Sequence, residues 1–150
     1  MAIAAGNQTD ERRIEFEILY RGQHRDLDLA EPFILKIDTE EEWAEFWNTN
    51  HRTIFNRGRN SPVLDSAALD FADHMLLAIY YVPVPNSRYS MITQRITARE
   101  DVLVVQAQRR ISSDGCGSLP TASFPFRIVQ AERVDLDPEL LVGEQRVNCR

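Results

Sequence analysis

The chain has 150 residues and a formal net charge of −6. That length suits one domain with a real core and needs no structural metal or multiple disulfides, and the acidic balance argues against nucleic acid, whose phosphates want a basic face. Hydrophobic residues make up 43% of the chain, which excludes wholesale disorder, and no apolar run reaches the roughly 18 residues that span a bilayer.

Residues 1–12 read as a polar, flexible leader with no basic n-region and too short an apolar run for a signal peptide. Residues 13–150 then form one domain. If a signal peptide has been removed, a periplasmic or extracellular location is favoured; otherwise the protein is cytoplasmic. Ile14, Phe16, Ile18 and Tyr20 alternate with Glu15 and Glu17, the pattern of a half-buried strand that Arg21-Gly22-Gln23 should end. Phe33 to Ile37 is a second short strand.

Thr39 with Glu42 three residues on is a capping box, and Glu40, Glu41 and Glu42 put negative charge on a first helical turn, where the helix dipole favours it. Trp43, Phe46 and Trp47 follow at helical spacing. The helix should cover about 40–50 and lay its indoles on the sheet. These aromatics are core residues rather than a stacking platform for a ligand. Residues 51–68 read as a long loop in which Arg52, Arg57 and Arg59 cluster. It is a solvated surface in an arginine-rich chain whose only lysine is Lys36, with an anion site as the sharper alternative.

Met75 to Val82 is apolar on both faces and predicts a central strand covered on both sides. Pro83 and Pro85 cannot donate to a ladder, so pairing should thin there, and Pro85-Asn86-Ser87 reads as a turn. Tyr89 to Thr97 returns as a strand with Ile92 and Ile96 on one face. Glu100-Asp101 turns the chain into Val102 to Gln108, the third strand of a meander. Ser112 to Ala122 is a loop. Phe124, Phe126 and Ile128 start a strand running to about Val134. Asp137-Pro138 could open one helical turn, with Val142 to Val147 as a last short strand. The fold class is therefore α+β. One mostly antiparallel sheet of about five to seven strands, curled or barrel-like, packs with the helix near 40–50. The expected core is Phe16, Ile18, Trp43, Phe46, Trp47, Leu77, Ile79, Ile92, Val104, Phe126 and Ile128.

Chemistry-bearing constellations are sparse. Cys116 and Cys149, 33 positions apart, permit one disulfide, which on chain-entropy grounds would contribute roughly 3–4 kcal/mol. Two free thiols are the equal alternative. No further ligands stand at metal spacing, so no metal and no cofactor is expected. His74 with Asp70 or Asp73 could join a serine in a triad, and Cys116 between two glycines could be a nucleophile, but no nucleophile-elbow pattern supports either. Asp70 and Asp73 read as a strand-entry cap rather than a cation site.

Glu41-Glu42-Trp43 and Phe46-Trp47 come first, followed by Asp70-Phe71 and Met75 to Val82. Pro85 through Tyr89-Ser90-Met91-Ile92 and Phe124-Pro125-Phe126-Arg127-Ile128-Val129 complete the order. This order over about residues 36–134 resembles the PrcB C-terminal-domain family, accessory subunits of a bacterial surface protease complex. The chain departs from the family at Ser87 and Arg88, where a glycine pair tolerant of positive φ is usual. The resemblance implies a small β-rich accessory module, often exported, with no catalytic residues to carry over. The expected function is a non-enzymatic protein-interaction module that binds another protein, such as a protease, or itself. Its candidate surface is Tyr81, Pro83, Pro85, Asn86, Ser87, Arg88 and Tyr89 beside the Ser112–Pro120 loop. The alternatives are a protease inhibitor presenting the 83–89 or 112–122 loop, and a hydrolase or thiol enzyme.

Overall fold

A computed structural model describes residues 11–25, 29–55, 69–113 and 117–148. The described residues form nine strands and one helix: β1 (Arg12–Ile14), β2 (Phe16–His24), β3 (Phe33–Ile37), α1 (Glu40–Asn50), β4 (Ile54–Phe55), β5 (His74–Tyr80), β6 (Tyr89–Arg99), β7 (Val102–Ser112), β8 (Pro125–Glu132) and β9 (Asp137–Val147). They build two sheets rather than one. A four-stranded sheet has the order β1-β6-β7-β9, and a five-stranded sheet has the order β3-β5-β8-β2-β4. All pairings are antiparallel except β7 with β9. The class is α+β, mostly antiparallel with one helix, and the sheets do not close into a barrel.

Three layers follow from how the strands alternate. Met75, Leu77 and Ile79 of β5 point between the sheets, where they meet Ile14, Ile96, Leu103, Val105 and Val129. Leu76, Ala78 and Tyr80 point the other way, where Trp43 and Phe46 of α1 cover them with Phe126 and Ile128. Both faces of β5 are therefore buried, which is why it reads as a continuous apolar run. Truncating such a residue, for example Leu77→Ala at 0% exposure, should cost about 2–5 kcal/mol.

The helix forms where the capping signals placed it. Thr39 Oγ1 accepts the Glu42 N–H at 3.0 Å, and Glu42 Oε1 accepts the Asp38 N–H at 2.7 Å, one residue before the N-cap. At the far end the His51 N–H donates to the Trp47 carbonyl at 2.9 Å.

Several sequence expectations change. The first alternating stretch is split, because Ile14 pairs with Ile96 in one sheet while Phe16 pairs with Ala131 in the other. The chain changes sheets at Glu15. Arg21-Gly22-Gln23 does not end the strand, which runs on to His24. A bulge between Ile18 and Tyr20 turns Tyr20 to the helix side. A second bulge, between Thr93 and Arg95, inverts the facing of β6, so Met91 and Ile96 are buried while Ile92 is only half-buried. Phe16, Ile18 and Trp47 are partly buried against the core. β5 and β6 lie in different sheets, so there is no three-strand meander. Residues 137–147 are one strand without a helical turn.

Candidate functional site

After Tyr81, whose N–H donates to the Pro125 carbonyl at 3.0 Å, the two prolines interrupt the ladder of the five-stranded sheet. The chain is not released. Val84, only 1% exposed, forms a single antiparallel bridge with Ser123, closed by two backbone hydrogen bonds of 2.9 Å. Asn86 Oδ1 accepts the Arg88 N–H at 2.9 Å, a local side-chain turn of the kind asparagine favours. The Ser87 N–H donates to the Leu119 carbonyl at 3.1 Å, and Ser87 Oγ accepts the Leu119 N–H at 2.7 Å. Arg88 Nε donates to the Ser112 carbonyl at 2.9 Å, and the Ser112 N–H donates back to the Arg88 carbonyl at 2.9 Å.

The 83–89 segment is thus sewn to 112 and to 119–123, and the two loops singled out in the sequence form one surface. Ser87 and Arg88 each make a bond that a glycine pair could not make. Among the described residues no non-glycine residue has positive φ, so this turn needs no glycine. Pro85 and Ser87 are exposed, and Pro83, Asn86, Arg88 and Tyr89 are half-buried. Tyr81 is 1% exposed and belongs to the core between the sheets. Leu119 is 63% exposed, the most exposed of the large apolar side chains among the described residues. It borders a cleft of about 380 Å³ with Asn86, Ser87 and Tyr89. The sequence signal for it was slight: one leucine between Ser118 and Pro120 in a polar loop.

A second feature lies at the same end of the molecule, between the sheets. Tyr81, Met91, Arg109, Val142 and Glu144 line a cavity of about 220 Å³. Arg109 and Glu144 form an ion pair, which holds the Glu144 carboxyl below the usual carboxylate range. The Arg109 guanidinium also lies over the Tyr89 ring, 5.6 Å from its centroid. Arg127 stands behind this lining, its Nη2 donating to the carbonyl of Met91, a lining residue, at 3.3 Å. Burial pushes the Arg127 pKa down; the Tyr81 phenol partly offsets this, and the Arg21 charge adds to it. Burial likewise raises the Tyr81 pKa, with the Thr93 hydroxyl and Arg127 opposing. Both faces of β8 are covered, with Phe126 and Ile128 towards the helix, so Arg127 lies on the inner face with Val129 and Ala131.

The remaining candidates are dispersed. His24 is 1% exposed and its Nε2 lies 2.7 Å from the Tyr81 carbonyl. His51 caps the helix through Nδ1 and the Trp47 carbonyl at 2.9 Å. His74 Nδ1 lies 3.8 Å from Asp70 Oδ2. Asp70 Oδ1 also accepts the Ala72 N–H at 3.0 Å, which makes this a strand-entry turn. Trp43 stacks on both Phe46 and Trp47 and packs in the core. Arg52 is exposed. Arg57, Arg59, Cys116 and Cys149 lie outside the described residues, and with them the arginine cluster, the disulfide and the thiol nucleophile. Among the described residues no group of three or more His, Cys, Asp or Glu is placed to hold a metal ion, and no helix is long and apolar enough to cross a membrane. No protein-family model, no curated protein and no solved structure matches this chain.

Proposed function

We propose that this chain is a non-enzymatic protein-interaction module, an accessory or stabilising subunit of a bacterial protease or another envelope assembly. Its contact surface is the 83–89 loop with Leu119. The observation that carries this reading is the pairing of Ser87 with Leu119, which fixes an exposed leucine beside a cleft. A partner that docks there need not order the loop, so less of the contact energy is lost on binding. An exposed apolar side chain with a polar rim is the usual anatomy of a contact centre. The resemblance to the PrcB C-terminal-domain family supports the same class.

The test is capture from native cell extract on immobilised protein, comparing the wild type with Leu119→Asp. Loss of a captured protein on substitution is expected. Equal capture by both removes Leu119 from the surface, and the native mass of the purified chain separates a foreign partner from a second copy. A second copy would add at one of the edge strands, β1, β3, β4 or β9.

The alternative of a protease inhibitor is favoured by one observation, the tethering of the 83–89 loop at Val84, Ser87 and Arg88. Inhibitor loops bind in a fixed pose. A panel of serine and cysteine proteases in which none is slowed by stoichiometric protein eliminates it.

A further inference from the structure

The space between the sheets is apolar over most of its length and turns polar at one end. Ile14, Leu77, Ile96, Leu103 and Val129 fill the apolar part. At the polar end lies the cavity of about 220 Å³ lined by Pro32, Met91 and Val142 together with Tyr81, Arg109 and Glu144. That volume is below the roughly 300–1,000 Å³ of a drug-sized site, so its occupant is small.

Of the charged residues that line the cavity, Arg109 and Glu144 pair with each other, and further guanidinium groups stand close behind them. Among the described residues Arg127 donates to two backbone carbonyls, Phe126 at 2.9 Å and Met91 at 3.3 Å. Among the described residues no carboxylate pairs with it. Arg21 stands directly opposite Arg127 on the neighbouring strand. Three guanidinium groups therefore share this end with the one carboxylate of Glu144, in a chain whose net charge is −6. Among the described residues Arg109 Nε is buried without a hydrogen-bond partner. Tyr81 Oη meets the Thr93 hydroxyl only at 3.4 Å, a long contact that leaves it free to donate elsewhere. Orphaned buried donors and an uncompensated half-buried cation are both costly, and an anion relieves both.

We propose that this mouth between the sheets binds a small organic carboxylate with an apolar body, the carboxylate held by Arg127 and Arg109 and the body packed on Pro32, Met91 and Val142. This site goes beyond the interaction surface at Leu119 and does not depend on it. Leu119→Asp should leave carboxylate binding unchanged, so the two readings fail separately.

The test is calorimetric titration of the full chain with hexanoate, hexanol, hexylammonium and inorganic phosphate. Hexanoate should bind at one site with a dissociation constant of about 1 mM or tighter, and more weakly as salt is added. The other three should bind at least about tenfold more weakly, since each lacks either the charge or the apolar body. Arg127→Met should weaken hexanoate about tenfold or more and leave hexanol unchanged. Val142→Trp, at a 40% exposed edge position, fills the mouth and should abolish hexanoate binding even if Arg127→Met does not fold. Four results overturn the proposal. They are equal affinity for hexanol and hexanoate, phosphate binding as well as hexanoate, no saturable hexanoate heat up to about 20 mM, or hexanoate binding unchanged in Val142→Trp.

Discussion

Ser87 and Leu119, 32 residues apart, hold each other by two hydrogen bonds. The Ser87 N–H donates to the Leu119 carbonyl at 3.1 Å, and Ser87 Oγ accepts the Leu119 N–H at 2.7 Å. The pair joins the connection that crosses from β5 to β6 to the connection that leads back from β7 to β8. Each of these connections passes between the sheets, so the pair also locks one end of the sandwich.

Ser87→Gly removes the acceptor for the Leu119 N–H and loosens the backbone. Stability should fall by roughly 1–2 kcal/mol, the sum of one hydrogen bond and a glycine entropy cost. Amide exchange at Leu119 should become faster. Unchanged protection at Leu119 contradicts the latch.

Gly22 is required by Tyr20. A Cβ on Gly22 would lie 2.4 Å from the Tyr20 ring, and that ring packs edge-on against Phe126 with centroids 6.1 Å apart. Gly22→Ala should destabilise the fold by about 1–3 kcal/mol in urea unfolding. Most of that cost should vanish in the Tyr20→Leu background. A full cost in both backgrounds places the constraint in the backbone instead.

Lys36 ties β3 to the connection between β8 and β9. Its Nζ donates to the Val134 carbonyl at 2.8 Å and the Leu136 carbonyl at 3.0 Å, 3.7 Å from Asp38 Oδ2. Lys36→Met keeps the packing volume and strands two carbonyls, so stability should drop by roughly 2–3 kcal/mol. The side chain is 12% exposed, and amine-reactive reagents should modify it far more slowly in the native protein than in urea. Equal rates refute the clamp.

Much of the architecture can be read from local pattern, and what cannot depends on long-range events. The helix at 40–50 is legible because Thr39, Glu42 and the Trp43–Phe46–Trp47 spacing act within one stretch of chain. β3 and β5 are legible because apolar runs of strand length stand between polar segments. The sheet change at Glu15 is not, since Ile14 and Phe16 keep perfect alternation while pairing with different strands. The bulges at Ile18–Tyr20 and Thr93–Arg95 are invisible for a related reason: one extra residue reverses every later side chain without changing composition. Of the site, the 83–89 loop is legible from Pro83 and Pro85. Arg127 is not, because alternation with Phe126 and Ile128 marks it as wet when a second sheet covers that face.

Alkaline pH should unfold the protein through its buried phenols. Burial pushes the Tyr80 pKa up to about 12 and raises Tyr20 and Tyr81 as well. A phenol whose folded pKa lies above its unfolded value keeps its proton longer in the folded state. Stability is then full below about pH 10 and falls as pH rises towards 12. For Tyr80 the loss is roughly 2–3 kcal/mol. Urea midpoints should be flat from pH 8 to pH 9.5 and drop steeply above about pH 10. Tyr80→Phe should soften that drop, and an identical drop in the variant contradicts the assignment.

The most direct test of the contact surface is photo-crosslinking in cells that make the protein. A benzophenone amino acid is placed at position 119 and, as a control, at Glu100, an exposed residue in the turn between β6 and β7. One adduct of defined mass is expected from position 119 and none from position 100, and the adduct should weaken when Ser87 is replaced by glycine. No adduct from position 119, or the same adducts from both positions, would contradict it.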